Sequence, residues 1–290
     1  MNKGLKFRVI ILAILFLTTV FSIYTLYKED RGNILTVAFL NIGQGDAIFI
    51  ESPSGNQMLI DGGAGRSILR ELGAVMPFYD KSIDVVLATH PDADHIGGLN
   101  DVLTKYQVNF FVEGGVESDT NIYTELQKLV SNKEVKNETK RVEVRGGMKI
   151  DLGNGAILEI LFPDRDPSGM ETNTASVVAK LIYGENEFLL TGDSPIAIEQ
   201  YLVSQGDTLG NLRSDVLKAG HHGSKTSSSE DFIKTVSPEY VVISSGKNNK
   251  YGHPHQQVLD ILNNFGAKIL RTDQSGRIIF ESDGVNLKIK

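Results

Sequence analysis

The sequence predicts a layered α/β protein with more than one β-sheet, preceded by one apolar helix. Three observations support this fold class. Short apolar or alternating runs bounded by Gly, Pro and Asn come first and are typical of strands in hairpins. The C-terminal third then alternates helix-like and strand-like segments. An uncharged apolar run lies near the N-terminus, and 41% hydrophobic content in 290 residues suffices for a large core.

The N-terminal run predicts a membrane-spanning helix. Lys3, Lys6 and Arg8 precede 19 uncharged residues, 9–27, and about 20 apolar residues cross a bilayer. The basic residues place the N-terminus in the cytoplasm and the rest of the chain outside. We therefore expect a cytoplasmic tip and signal anchor over residues 1–30 and a folded domain over 31–290. If the segment is instead a cleaved signal peptide, the protein is secreted.

The elements of the folded domain follow from local patterns. A helix at 67–76 ends before Pro77, and a helix at 96–106 places Ile96, Leu99 and Leu103 on one face. The remaining helices are predicted at 121–131, from 195, at 229–236 and at 256–265. Strands are predicted at 35–43, 46–52, 57–63, 83–90, 109–113, 157–162, 176–184, 186–193, 214–220, 239–245, 267–272 and 276–282.

The six histidines of the chain all lie in loops that follow predicted strands. They form three pairs: His90 with His95, His221 with His222, and His253 with His255. Asp193 follows another apolar strand, although an Asp before Ser-Pro is also a common residue at a helix start. Loops at one end of a sheet commonly carry reactive groups, so we expect these side chains to meet.

This set of side chains favours a metal centre. The chain has no cysteine, so histidine and carboxylate must provide the ligands. One or two divalent ions, Zn²⁺ or Mn²⁺, would suit such ligands, and two ions can activate water and clamp a reacting phosphoryl or acyl group. A closed structural site is the alternative, but these loops offer more polar groups than four ligands require.

With these motifs in order, the chain resembles the metallo-β-lactamase superfamily, in particular the metallo-hydrolase domain of ComEC-type competence proteins. The resemblance extends over residues 35–280. It implies a four-layer αββα sandwich and a metal-dependent hydrolase. The motifs that carry it are FLNIGQGDAIFI, LIDGG, THPDADHIGGL, NTASVV, FLLTGD, LKAGHHGSKTS, SSGKNNKYGHPH and RTDQSGRIIF.

The resemblance also implies which residues bind metal. His90 and Asp92 would serve one ion, Asp94 and His95 a second, and Asp193 would bridge them. We expect His221 to be the last ligand and His222 to face the substrate. Asp92 stands where most of the superfamily has histidine, and Asn173 replaces another. These oxygen donors favour harder cations, so Mn²⁺ is expected to compete with Zn²⁺, and one subsite is expected to be weak.

The function that the resemblance implies is hydrolysis of a phosphodiester, DNA among the candidates, outside the membrane. Asp94, His222 and His253 are the expected catalytic residues, with Asp94 as a proton acceptor. Possible substrate contacts are Asn173, Lys225, Lys247, His253 and His255. His255 has a second interpretation, because it immediately precedes a predicted helix and can cap it.

Two other functions stay open on the sequence. The same fold can hydrolyse lactams, lactones or thioesters, and it can persist in a non-catalytic surface protein. The net charge of −7 gives no general attraction to nucleic acid. The Gly-rich stretch at Gly43–Asp46 does not complete a dinucleotide-binding motif, so no nucleotide cofactor is expected.

Overall fold

The computed structural model describes residues 3–29, 32–206 and 211–290. The predicted boundary between residues 30 and 31 lies outside this part. The N-terminal helix α1 (Lys3–Glu29) is present as predicted, and its 19-residue stretch Gly4–Ser22 is long and apolar enough to cross a membrane. None of that stretch is buried against the rest of the protein.

The first sheet has eight strands and combines hairpins with parallel strands. Strands β1, β3, β4, β5 and β6 run in one direction, because β1 and β3 each pair antiparallel with β2. In spatial order the strands are β15 (Leu287–Ile289), β14 (Ile278–Ser282), β1 (Leu35–Phe39), β2 (Ile48–Glu51), β3 (Gln57–Ile60), β4 (Ser82–Ala88), β5 (Gln107–Glu113) and β6 (Lys140–Glu143).

The second sheet has seven strands, four of them parallel. In spatial order they are β13 (Lys268–Arg271), β12 (Tyr240–Ile243), β11 (Val216–Lys218), β10 (Asn186–Leu190), β9 (Val178–Tyr183), β8 (Ala156–Phe162) and β7 (Lys149–Gly153). Strands β6, β7 and β15 and the short helix α9 (Thr272–Ser275) were not predicted. Each of these elements has only three to five residues, too few to show a clear period.

Helices cover the outer face of each sheet. Between the sheets, the rings of Phe39, Phe188 and Phe280 pack edge to face, with centroids 5.8–6.1 Å apart. Two further cores lie under the helices. This arrangement confirms the predicted four-layer αββα sandwich. The covering helices are α2 (Ser67–Val75), α4 (Leu99–Lys105) and α5 (Asn121–Val135) on the first sheet, and α6 (Ile196–Ser204), α7 (Glu230–Val236) and α8 (Gln256–Asn264) on the second.

The helix predicted at 96–106 is divided into two. The short helix α3 (Ala93–Ile96) ends before Gly97, and α4 begins at Leu99. A Cβ on Gly98 would lie 2.2 Å from the carbonyl oxygen of Gly62, so only glycine permits this approach of the two loops. Gly97 and Gly98 both keep right-handed helical dihedral angles, but the backbone N–H of Gly98 donates to the carbonyl oxygen of Gly63 at 2.8 Å and not to a residue of α3, which interrupts the helix after the HPDADH motif.

The strand directions give the protein two distinct edges. The loops that follow β4, β10, β11 and β12 meet at one end of the two sheets, here called the site edge. The opposite end, where β1, β4, β5 and β6 begin, is called the start edge. All six histidines lie in the loops and short helical turns that follow β4, β11 and β12 at the site edge.

Candidate metal centre

The loop after β4 holds two histidine rings in fixed orientations. The carboxylate of Asp61 accepts hydrogen bonds from the backbone nitrogen and the hydroxyl of Thr89, at 2.8 and 2.7 Å. The same carboxylate lies 2.7 Å from Nδ1 of His95, and the Thr89 hydroxyl lies 2.9 Å from Nδ1 of His90. Because both Nδ1 atoms are engaged, both Nε2 atoms are left for the centre.

The loop after β11 orients two further histidines by an unusual backbone. His221 and His222 form a 3₁₀ turn with Gly220 and Gly223, at φ values of 47° and 55°, a left-handed conformation that non-glycine residues seldom adopt. The His222 ring is 1% exposed, and its Nδ1 donates to the carbonyl oxygen of Ser244 at 3.0 Å. The side chain of His221 remains 28% exposed at the rim.

The loops after β4 and β11 converge on the carboxylate of Asp193, which lies in the loop after β10. Its Oδ2 lies 3.3 Å from Nε2 of His95 and 3.3 Å from Nε2 of His222, and Nε2 of His222 lies 3.4 Å from Asp94. His90, His95 and Asp193 also bring ligand atoms within 4.8 Å of one another. Asp193 is 3% exposed and Pro195, not Asp193, is the N-cap of α6, so its carboxylate faces the centre rather than a helix end.

The imidazoles of this cluster fit a metal ion. The Nε2 atoms of His90, His95 and His222 are buried and have no hydrogen-bond partner among the described residues. Unsatisfied buried nitrogens are costly, and a divalent ion would satisfy them. We distinguish a His222 subsite (Asp94, His95, Asp193 and His222) from a His90 subsite (His90, Asp92 and the shared Asp193).

The geometry favours His222 over His221 as the metal ligand, the reverse of the roles expected from the sequence. His222 lies in the buried cluster, whereas His221 belongs to none of the groups whose ligand atoms lie close together among the described residues. The Nε2 atom of His221 is 3.7 Å from Asp193, farther than that of His222. The sequence does not distinguish the two, because only the left-handed turn determines which ring faces inward.

A buried lysine that was not predicted from the sequence lies behind the metal centre. Lys218 is 0% exposed and donates to the carbonyl oxygen of Gly192 at 2.7 Å. It forms an ion pair with Asp46 and lies 3.4 Å from Oδ1 of Asp193. Lys218 therefore contacts one oxygen of Asp193 and leaves the other, Oδ2, to the histidines.

Asp46 reaches this position through the glycine-rich loop between β1 and β2. A Cβ on Gly45 would lie 1.9 Å from the carbonyl oxygen of Asp94, which in turn accepts the backbone N–H of Asp46 at 3.2 Å. Asp46 also lies 3.4 Å from Nδ1 of His222. The motif that superficially resembled a dinucleotide loop therefore places a carboxylate behind the centre. The signals available in the sequence were an Asp after two closely spaced glycines and a lysine within a strand.

Electrostatics differ between the two subsites. Burial lowers the pKa of His95 and of His222, but the Asp193 carboxylate, aided by Asp61 or Asp46, outweighs burial and raises both well above 6.5. For His90, burial and the neighbouring His95 hold the pKa well below 6.5. Without an ion, His95 and His222 therefore carry protons near neutral pH, whereas His90 is neutral.

The remaining predicted residues differ in exposure. Asp92 is 39% exposed and lies 3.8 Å from Nε2 of His90. The Asn173 Oδ1 atom is buried without a hydrogen-bond partner among the described residues. Lys225 and Lys247 are exposed.

His253 and His255 connect the mouth to the loop after β11. The His253 ring lies 5.5 Å from that of His221, between centroids, and 6.2 Å from that of His222. Burial and these two rings lower the pKa of His253 to about 4, so it carries no extra proton at neutral pH. His255 occupies the N-cap position of α8 without a capping hydrogen bond from its side chain; its Nδ1 instead accepts the backbone N–H of Lys225 at 3.2 Å.

Comparison with known proteins identifies the family. The family model of the metallo-β-lactamase superfamily matches residues 40–247, which include the loops after β4, β10 and β11. The chain belongs to this superfamily. In fold it is similar to the metallo-β-lactamase fold protein YhfI from Bacillus subtilis, with a TM-score of 0.56 at 12% identity, over 86% of this chain and 100% of that one.

The chain is similar in sequence to curated competence proteins. It is 34% identical over 260 residues to ComE operon protein 3 of Bacillus subtilis, over 83% of this chain and 32% of that protein. It is 31% identical over 252 residues to competence protein ComA of Neisseria gonorrhoeae, over 86% of this chain and 32% of that protein. The predicted resemblance to ComEC-type proteins is confirmed, and the chain spans about a third of the length of these relatives.

Proposed function

We propose that this hydrolase-fold protein is a metal-dependent phosphodiesterase that acts outside the cytoplasmic membrane, with α1 as its single-pass anchor. The observation that carries the proposal is the convergence of three buried, unpartnered imidazole nitrogens, of His90, His95 and His222, around the Asp193 carboxylate. A divalent ion would satisfy these nitrogens, which among the described residues have no hydrogen bond, although those of His95 and His222 form ion pairs with Asp193.

We assign the ligands to two subsites, with His95, whose ligand atoms lie close to those of both His90 and His222, placed in the His222 subsite. Asp94, His95 and His222 would hold one ion, His90 and Asp92 a second, and Asp193 would touch both. His222 thus replaces His221 as the proposed ligand. A divalent ion bound here would polarise a phosphoryl group and promote deprotonation of water. Zn²⁺ suits the His222 subsite, and the oxygen donors of the His90 subsite suit Mn²⁺.

Residues of the chain itself would position the substrate and move the proton. The Asp94 carboxylate is 31% exposed towards the mouth and is the proposed proton acceptor. Lys225 and Lys247 would balance the charge of the phosphodiester, while Asn173, His221 and His255 would contact its oxygens. His253, with its pKa of about 4, is proposed to accept a hydrogen bond or a proton, and not to protonate the leaving oxygen.

The phosphodiester substrate is favoured by two features. Three of the proposed ligands, Asp92, Asp94 and Asp193, are carboxylates, and oxygen donors suit metals used for phosphoryl transfer. The similarity to competence proteins also directs attention to DNA, which we propose as the first substrate to test. The net charge of −7 means that attraction of a polyanion must come from bound metal and local lysines.

The test uses the full chain in detergent, stripped of metal and then given Mn²⁺ or Zn²⁺. Cleavage of single-stranded DNA and of bis-p-nitrophenyl phosphate would be followed beside a β-lactam, a lactone and a thioester. We expect metal-dependent phosphodiester cleavage, lost in Asp94→Asn and retained in Asp119→Asn, an exposed carboxylate outside the cluster. Turnover of only the non-phosphate substrates, or of none by a metal-loaded protein, would contradict the proposal.

A further inference from the structure

The start edge, opposite the metal centre, combines exposed lysines with exposed apolar side chains. An open groove of about 830 Å³ lies there, and its lining includes four lysines and one acid, Glu138. Glu138 pairs with Lys133 at 3.2 Å. Lys81, Lys105 and Lys140 form no ion pair with any described residue, so the groove is cationic on a protein whose net charge is −7.

Strand order explains why these lysines lie together. Lys81 immediately precedes β4, Lys105 ends the helix before β5, and Lys140 begins β6. Strands β4, β5 and β6 are parallel neighbours about 5 Å apart; Lys140 pairs with Phe110, three residues into β5, and all three lysines line the same groove. The three ammonium groups are thus fixed by the fold on one surface.

The same edge exposes large apolar side chains. Phe78, in the loop before β4, is 86% exposed; Val135, at the end of α5, is 84% exposed; and Val285, at the tip of the β14–β15 hairpin, is 62% exposed. Apolar tips beside lysines are typical of surfaces that rest on a lipid bilayer, where the apolar groups enter the headgroup region and the ammonium groups meet phosphates.

The path of the chain brings this edge to the membrane. Strand β1 begins at the start edge, three strand spacings, or about 14 Å, from β4. Lys28, the first charged residue after the apolar run, is only seven residues from Leu35, and seven residues span at most about 25 Å. A chain anchored by α1 therefore holds its start edge near the bilayer and its site edge away from it.

We propose that the start edge is a membrane-docking surface, in which Lys81, Lys105 and Lys140 bind anionic lipid headgroups and Phe78, Val135 and Val285 contact the interface. The metal centre then opens away from the bilayer, towards substrates in the surrounding space. The inference rests on the anchor included in the proposed function. Val135 and Val285 are aliphatic and offer no ring on which the bases of single-stranded DNA could stack, so we favour lipid as the occupant.

Energy transfer in liposomes tests the orientation. The chain contains no cysteine, so single cysteines can be labelled without background. A donor at Thr104→Cys reports on the start edge and a donor at Asp119→Cys on the site edge, with the acceptor on lipid headgroups. In phosphatidylglycerol liposomes we expect stronger transfer from position 104 than from 119. The difference should shrink in phosphatidylcholine liposomes.

Charge-matched variants sharpen the result. Combined Lys81→Gln, Lys105→Gln and Lys140→Gln changes should abolish the effect of phosphatidylglycerol. Combined Lys225→Gln, Lys247→Gln and Lys250→Gln changes remove the same charge at the site edge and should preserve it. Equal transfer from the two donors, an unchanged difference in the first triple variant, or single-stranded DNA binding to the groove in place of lipid would overturn the proposal.

A separate experiment distinguishes failure of α1 to span the membrane from failure of the start edge to bind lipid. Extraction of the full chain by alkaline carbonate, or its release by cleavage, would contradict the anchor role of α1 but would not test the docking surface. The released protein would then be sedimented with liposomes, and each lysine near an anionic surface contributes about 1 kcal/mol. We expect binding to phosphatidylglycerol that falls roughly a hundredfold in the first triple variant; no binding by the unsubstituted protein would overturn docking itself.

Discussion

The two subsites of the candidate metal centre share Asp193 and both lie close to His95, but they differ in burial and in how their ligands are oriented. The His222 subsite has two buried imidazoles, of His95 and His222, whose Nδ1 atoms are both engaged by the protein. The His90 subsite has one imidazole, and its second side chain, Asp92, is 39% exposed. The first is oriented before metal binds, whereas the second must draw in a partly solvated carboxylate.

The orientation of the ligands in a subsite and their protonation state are therefore separate properties. His95 and His222, with their raised pKa values, must lose protons to a metal, so occupation of the His222 subsite weakens as pH falls. His90, with its lowered pKa, has no such proton to lose. Metal binding to the better-oriented His222 subsite therefore depends more strongly on pH than binding to the His90 subsite. Stronger coordination must offset the cost of removing these protons.

The largest effect should come from Asp193→Asn, which alters the one side chain common to both subsites. An amide has no charge to share between two cations, so both metals should be weakened together. We expect phosphodiester cleavage to fall by about a thousandfold or more, as when several kcal/mol of charge stabilisation is lost. Metal content measured by mass spectrometry should fall at both subsites. Asp119→Asn is the matched control. Loss of only one ion in Asp193→Asn would contradict the proposal that Asp193 binds both.

The Lys218→Met variant should produce the next largest effect, on stability. It leaves Asp46 and Asp193 buried without their cation, and removal of one partner of a buried ion pair costs about 3–5 kcal/mol. Thermal unfolding of the metal-free chain should show this loss, and added metal should recover part of it by pairing with Asp193. The exposed Lys234→Met change should have little effect. Equal destabilisation of both variants would contradict the role of Lys218 in stabilising the buried carboxylates.

Much of this architecture could be predicted from the sequence, because its signals are local. The strands around each histidine pair have clear apolar runs, and the loops that follow parallel strands necessarily meet at one edge of a sheet. The charge and spacing of HPDADH likewise indicate metal ligands without any knowledge of packing.

The sequence left three features open for physical reasons. The choice between His221 and His222 depends on the φ angles of 47° and 55°, which no residue preference encodes for histidine. The pairing of Lys218 with Asp46 joins residues that are 172 positions apart. The break at Gly97 and Gly98 depends on the close approach of the Gly62 loop. Each is a tertiary contact that local pattern cannot specify.

Substitution of the adjacent histidines separates the His222 subsite from its rim. His222→Gln removes a buried ligand nitrogen, so metal affinity of that subsite should fall by about a hundredfold. His221→Gln removes a ring that is 28% exposed, so affinity should change by less than about tenfold and the KM for the phosphodiester should rise instead. Metal titration of both variants makes the comparison. The reverse order would restore the expectation that His221 is the ligand.

The smallest effect should come from Asp92→His, which gives the His90 subsite a second imidazole. The side chain at 92 lies near His90, with the present carboxylate 3.8 Å from its Nε2 atom, so a ring at this position can reach the same ion. Nitrogen suits Zn²⁺ better than Mn²⁺, and we expect the zinc affinity of this subsite to rise by about tenfold while manganese gains nothing. Competition titrations with the two metals measure the change. Equal gains for both metals would mean that Asp92 limits the His90 subsite through its exposure and not through its donor atom.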